Sequence, residues 1–265
     1  MEFVNPFRTG VVSVTGTACA LKCAHCNGHY LRHMLTRDRW EQLDKNVIRS
    51  CLVSGGCDRN GKVPILESLD AVRELGKKFR LNIHPGLLDE DEARRLGEVA
   101  SVVSFDFVVD DETIEEVYGL PGRGEDYVRT YIALRRYARV VPHICIGIKG
   151  GEVRGEFRSI DILHELGVDA IIFLVLIPTR GTRYESASPP ELREVGRVFE
   201  YARQRFPGTP LYLGCMRPHG VYREKVDRLA IDAGLDRIVL PARGAVAYAE
   251  SLGIDVAWRE ECCSF

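Results

Sequence analysis

The stretch Gly10-Val11-Val12-Ser13-Val14-Thr15-Gly16-Thr17-Ala18-Cys19-Ala20-Leu21-Lys22-Cys23-Ala24-His25-Cys26 reads as an apolar, β-branched strand that runs directly into a loop holding three cysteines. Such a nearly continuous apolar run suits a strand buried on both faces. Working outward, seven more runs of this kind lie at 51–54, 80–84, 102–109, 140–148, 170–177, 210–214 and 237–240. Between them fall segments with helical spacing, such as Leu66, Leu69, Val72 and Leu75, or Leu192, Val195, Val198, Phe199 and Ala202. Residues three and four apart line one face of a helix. Helix starts are expected at Asp89, ahead of Glu92, and at Ser188, before Pro189 and Pro190.

Strand then helix, repeated, requires parallel strands joined by crossovers. Eight such units predict an α/β fold, a closed (β/α)8 TIM-type barrel; an incomplete six-strand barrel followed by two further units would give the same string. No linker, repeat or charge block divides residues 1–265, so one domain is expected. Residues 1–255 are assigned to the barrel, and 256–265 to a cysteine-bearing tail expected to return to the barrel mouth.

The balance of 36 Lys and Arg against 38 Asp and Glu gives a net charge of −2. That leaves no electrostatic footprint for nucleic acid or an anionic membrane. The longest apolar run, 170–177, is a strand's length and far short of the ~18 residues of a span. The opening Met1-Glu2-Phe3-Val4-Asn5-Pro6 has no signal-peptide pattern, so a cytoplasmic location is expected. Disulfides are not expected there. Scarce Asn and Gln, with Arg far outnumbering Lys, lean towards a thermophile.

Nine cysteines in a reducing compartment therefore call for ligation. Barrel chemistry is built on loops at the C-terminal ends of strands, and Cys19, Cys23 and Cys26 follow the first strand with C-x3-C-x2-C spacing. Three thiolates on a tight loop can wrap one cubane and leave an iron open for another ligand. A three-Cys zinc site completed by His25, His29 or His33 is the competing reading.

With this motif at this place, the chain resembles the radical S-adenosylmethionine enzymes. The resemblance implies a site-differentiated [4Fe-4S] cluster on Cys19, Cys23 and Cys26, S-adenosylmethionine chelated to the open iron, and a 5′-deoxyadenosyl radical. It also implies that Ser54, Gly55 and Gly56 match the glycine motif that receives the methionine amino group. Asp106, at the end of the fourth run, could then reach ribose hydroxyls or substrate. Asp110 reads equally well as a helix cap. The sequence departs from the family at His25, where an aromatic residue is usual, and at Cys57, where an acid is usual and Asp58 is a substitute.

Cys51 and Cys145 read as buried small apolar residues. Cys57, Cys215, Cys262 and Cys263 were expected on one face, four ligands for an auxiliary iron–sulfur cluster, with Ser264 as an alternative oxygen ligand. Arg217 reads as a carboxylate or phosphate clamp or as a strand-end ion pair. Gly214-Cys215-Met216-Arg217-Pro218 with a terminal Cys pair resembles the biotin synthase and lipoyl synthase branch, most closely the archaeal two-protein lipoyl synthases. That implies sulfur insertion into an octanoyl-lysyl chain. Its partners would be an acyl-lysyl carrier protein or peptide, a ferredoxin or flavodoxin reductant and a second radical enzyme of the same superfamily. The alternatives are a methyltransferase, a maturase or another biotin synthase-like enzyme, and, in a different class, a non-catalytic zinc-binding barrel.

Overall fold

All eight expected strands form. In the computed structural model, which describes residues 1–265, they are β2 (Thr9–Ser13), β3 (Ser50–Ser54), β4 (Arg80–Ile83), β5 (Val102–Asp106), β6 (Val140–Ile146), β7 (Ile171–Val175), β8 (Leu211–Leu213) and β9 (Arg237–Val239). Two further strands, β1 (Glu2–Val4) and β10 (Ala257–Arg259), went unread: β8 and β9 are as short but lie within the longer runs 210–214 and 237–240, whereas these two are hemmed in by polar residues and Pro6. The ten strands form one parallel sheet in the order β10-β1-β9-β8-β7-β6-β5-β4-β3-β2. Phe3 of β1 lies opposite Ile238 on one side and Trp258 on the other.

The helices α1 (Leu69–Gly76), α2 (Glu90–Gly97), α3 (Asp111–Thr113), α4 (Gly124–Arg135), α5 (Glu156–Leu166), α6 (Leu192–Arg205), α7 (Val221–Asp232) and α8 (Arg243–Ser251) fill the crossovers after β3 to β9. Their apolar stripes pack on the sheet; α6, for instance, buries Val195, Val198, Phe199 and Ala202, and Phe199 meets Phe173 of β7 edge-on at 5.6 Å. Asp89 caps α2 as expected, accepting from the Glu92 N–H at 2.9 Å while Glu92 returns a bond to its own N–H. Ser188 caps nothing. The two prolines lack amide hydrogens and occupy the approach, so α6 begins at Leu192 behind Glu191.

After β2 there is no α-helix. Two 3₁₀ turns, His29–His33 and Arg37–Gln42, flank Leu35, whose backbone bonds Val11 and Ser13 and covers the outer edge of β2. No helix is long and apolar enough to cross a membrane.

The sheet is curled, as the contacts of residues 260–265 make plain. This short segment touches β2 (Cys262 N–H to Thr9 Oγ1, 2.9 Å), β4 (Asn82 Nδ2 to Cys262 Sγ, 3.3 Å), β5 (Ser104 Oγ to Ser264 Oγ, 2.8 Å) and β9 (Arg237 Nη1 to the Cys263 carbonyl, 2.8 Å). One hexapeptide can reach both margins and the middle of the sheet only if the sheet wraps around it. The fold is a single-domain α/β barrel of TIM type whose seam is spanned by loop bonds, such as Arg8 N–H to the Glu260 carbonyl at 3.0 Å.

These contacts also correct the expected course of the tail. It folds back into the barrel, but through the opening at the N-terminal ends of the strands, opposite the mouth. Basic residues at or just before strand starts hold it there: Arg80 pairs with Glu261 and covers the Phe265 ring, and Arg139 donates to the Ser264 carbonyl.

Candidate functional site

The mouth is built around the loop that follows β2. A Cβ on Gly56 would overlap the Ala18 carbonyl and Cys19, and one on Gly55 would crowd Thr15. The Gly56 N–H donates to Thr15 Oγ1 at 2.7 Å, and the Ala20 N–H donates to the Cys57 carbonyl at 2.7 Å. The glycines after β3 therefore have an immediate structural duty: they let the cysteine loop lie against their own backbone. The Gly55 and Gly56 carbonyls make no bond within the chain, so they remain able to accept from a ligand. Ser54 Oγ is turned away, donating to the His84 carbonyl at 3.1 Å.

A second clasp comes from beyond α3. Asp110 caps that helix, accepting from the Thr113 N–H at 2.9 Å, so its helix-capping reading holds. The chain then widens into a π-helical turn at Ile114–Tyr118, a distortion that often marks functional sites. Its Val117 carbonyl accepts from the Ala24 N–H at 2.7 Å, and Tyr118 packs edge-on against His25 at 5.7 Å.

Within the loop, a hydrogen bond from the Cys23 thiol and the Gly28 N–H outweigh burial and bring the Cys26 thiol down to about 7. Cys23 is correspondingly raised by the same bond and by burial. Cys57 stands beside this set, pushed up to about 12 by burial and then by the neighbouring Cys19. Cys19, Cys23 and Cys26, with the Gly28 N–H directed at the Cys26 sulfur, are the thiol donors that the mouth could offer to a metal centre.

Below the loop lies a layer the sequence reading missed in part. His84, Asp106 and His143 stand on neighbouring strands at one level, with His84 Nε2 3.4 Å from Asp106 Oδ2 and the two imidazoles stacked at 5.9 Å. Burial would raise the Asp106 carboxyl, but the charge and hydrogen bond of His84, helped by His143 and His25, hold it at about 2. His84 is raised in return, its partner outweighing burial. Burial and then His84 lower His143 to about 4. The Asp106 side chain is 42% exposed although protein surrounds it, so this surface opens into the lumen. A signal was available for His143, which interrupts the otherwise apolar run 140–146; His84, at the end of a run that already holds Arg80 and Asn82, gave none.

The four thiols expected on one face are divided. Cys57 joins the mouth. Cys262 and Cys263 enter from the base and bond one another, and the Cys263 bond, with the Ser264 N–H and Asn82, lowers Cys262 to about 7. Cys215 lies between, packed with Cys263 on the lumenal cluster of Val102, Val141, Ile172 and Tyr212. Ser264 is fully buried with its hydroxyl on Ser104. Cys51 is buried behind β2 as expected, whereas Cys145 borders the mouth cluster of Ala24, Val117, Ile148, Leu176 and Tyr184. Arg217 is no clamp. It is 0% exposed, its Nε 2.7 Å from Asp227 Oδ1 and its Nη1 spent on the Gly214 and Val239 carbonyls.

No protein-family model and no curated protein matches the chain. Among solved structures, methylornithine synthase PylB superposes with a TM-score of 0.62 over 93% of this chain and 82% of its own, at 16% identity. The FeFe-hydrogenase maturase HydG from Carboxydothermus hydrogenoformans does so at 0.66 over 99% and 69%, at 13% identity. Streptococcus suis SuiB bound to S-adenosylmethionine gives 0.57 over 81% of this chain and 51% of SuiB, at 17% identity, and SuiB has also been solved with its precursor peptide SuiA. These neighbours are radical S-adenosylmethionine enzymes. At such identities the likeness is one of fold.

Proposed function

We propose that the chain is a radical S-adenosylmethionine enzyme in which Cys19, Cys23 and Cys26 hold a [4Fe-4S] cluster. The observation that carries this reading is the braced three-thiol loop at the mouth of a barrel whose neighbours share that chemistry. When bound, the cluster and S-adenosylmethionine supply an electron and a 5′-deoxyadenosyl radical able to remove a hydrogen atom from carbon. The chain's own residues orient and enclose. The Gly55 and Gly56 carbonyls accept from the cofactor's ammonium group, and Asp106 offers a fixed anion to hydroxyl or amine donors. Residues 260–265 stop the base of the lumen and exclude water from the reacting carbon.

The finer reading is sulfur insertion into an octanoyl-lysyl chain. Its support is the thiol group inside the lumen: Cys215, Cys262 and Cys263, with the Ser264 hydroxyl adjacent, offer ligands for an auxiliary cluster on the substrate side of the first. Cys57, beside the mouth triplet, is not in that set. A protein-borne substrate accords with the rim, where Lys22, Arg32, Arg37 and Arg180 are exposed on loops tied by Asn27 Nδ2 to the Gly181 carbonyl at 3.2 Å. Such a rim complements an acidic carrier or peptide. A ferredoxin or flavodoxin would deliver the electron, and a second enzyme of the superfamily would share the work.

Iron and labile sulfide counts on anaerobically prepared protein test both levels. About eight irons are expected for two cubanes and about four for one. Changing Cys19, Cys23 and Cys26 to Ala should abolish formation of 5′-deoxyadenosine while the barrel stays folded. Continued 5′-deoxyadenosine formation in that variant would overturn the assignment of the triplet. Changing Cys215, Cys262 and Cys263 to Ser should halve the iron and stop sulfur transfer to an octanoyl-lysine peptide while sparing cofactor cleavage. Full iron in this second variant would remove the support for sulfur insertion.

A further inference from the structure

His25 holds a nitrogen with nowhere to go. Its Nδ1 is buried and meets no hydrogen-bonding partner anywhere in the chain. A buried polar atom left unpaired has lost its hydration for nothing in return, so native structures rarely do it without cause. The neighbouring backbone acceptors are already engaged: the Ala24 carbonyl takes the Tyr184 N–H at 3.0 Å, the Cys23 carbonyl takes the Cys26 and Asn27 N–H groups, and the Val117 carbonyl takes the Ala24 N–H. Tyr118 offers the ring only a face-and-edge contact at 5.7 Å.

An imidazole carries a hydrogen on at least one ring nitrogen in either protonation state, so a buried Nδ1 can serve as a donor. His25 lies in the turn between Cys23 and Cys26, so its unpaired Nδ1 is a donor set beside two of the three thiols.

We infer that His25 donates an Nδ1–H hydrogen bond to a sulfur of the cluster held by Cys19, Cys23 and Cys26, and so acts as a positioning and potential-setting residue. The inference rests on the cluster assignment above. Hydrogen bonds to sulfur favour the reduced, more negative state of an iron–sulfur centre and raise its potential. His25 would thus make the cluster easier to reduce than a phenyl ring at this place could.

The experiment is a potentiometric titration of the reconstituted cluster, followed by electron paramagnetic resonance without S-adenosylmethionine, in the unmodified protein, His25→Phe and His25→Gln. His25→Phe should carry the same iron and titrate at a lower potential; His25→Gln, which keeps an N–H donor, should recover part of the shift. An unchanged potential in His25→Phe at full iron content overturns the inference. So does an unchanged potential with weaker S-adenosylmethionine binding, which would assign the donor to the cofactor. If His25→Phe fails to take up iron, hyperfine coupling between the reduced cluster and ¹⁵N-histidine in the unmodified protein decides, and no coupling overturns the proposal. Absence of any cluster in the unmodified protein would instead strike the enzyme assignment itself.

Discussion

The two ends of this barrel solve opposite problems. At the base, most charged and polar groups find partners within the chain, Glu261 Oε1 being an exception: Arg237 bonds Glu2 and the Cys263 and Phe265 carbonyls, Arg139 bonds the Ser264 carbonyl, and Ser264 bonds Ser104. At the mouth, polar groups are held in place and left wanting: His25 Nδ1, the Gly55 and Gly56 carbonyls and the lumenal face of Asp106. A closed hydrogen-bond inventory favours stability, whereas an open one on a rigid frame prepares a site for something the chain lacks.

If that division is real, damage to each end should stay there. The largest effect is expected from removing residues 260–265, which takes two carbonyl acceptors from the buried Arg237, leaving it Glu2, and uncovers Ser104. Losing hydrogen bonds to a buried charge should cost about 3 kcal/mol, a fall in Tm of ~6–12 °C at this chain length. Iron bound by the mouth triplet should persist in the truncated protein, and its loss would show that the two ends are coupled.

Next comes Gly56→Ala, whose added methyl must displace the Ala18–Cys19 backbone. A cost of roughly 1–3 kcal/mol is expected, with faster alkylation of Cys19, Cys23 and Cys26 in the metal-free protein and unchanged alkylation of Cys262. Equal acceleration at both ends would break the comparison.

The smallest effect concerns pH. His143 is lowered to about 4, by burial first, so the unfolded chain binds its proton more readily. The stability it contributes is complete above the ordinary histidine value of ~6.5 and is lost as pH falls from there towards 4. His143→Phe should flatten the stability-against-pH curve across that window by about one proton. An unaltered slope would mean that lumenal water hydrates His143 better than its burial implies.

The eight strands read from the sequence and the cysteine triplet were legible because each writes a local pattern, apolar continuity in one case and spacing in the other. Asp89 was legible for the same reason, its partner Glu92 lying one turn away. The course of the tail was not, because Cys262 and Cys263 look alike whether they enter the lumen from above or below. What decides is the set of strand-start arginines that hold the tail, and their meeting with it spans most of the chain. Arg217 stood open between a clamp and an ion pair, and the structure takes the ion pair: its partner Asp227 sits on α7, and nothing near Gly214-Cys215-Met216-Arg217 tells the two apart.

The seam carries a consequence for the order in which the molecule is made. Glu2 lies beside Arg237 on one flank and Ala257 on the other, so β1 has no partner until nearly everything else has been synthesised. At ~5–20 residues per second the ribosome imposes a wait on the order of tens of seconds. During it β2 to β8 can zip edge to edge as each crossover emerges, while the first strand waits unpaired. Closure is thus the final folding event, and the hexapeptide that stoppers the base cannot seat before it. Until then the lumen is open from below, and the surface that the tail finally covers, Ser104 and Asn82 among it, stays in water.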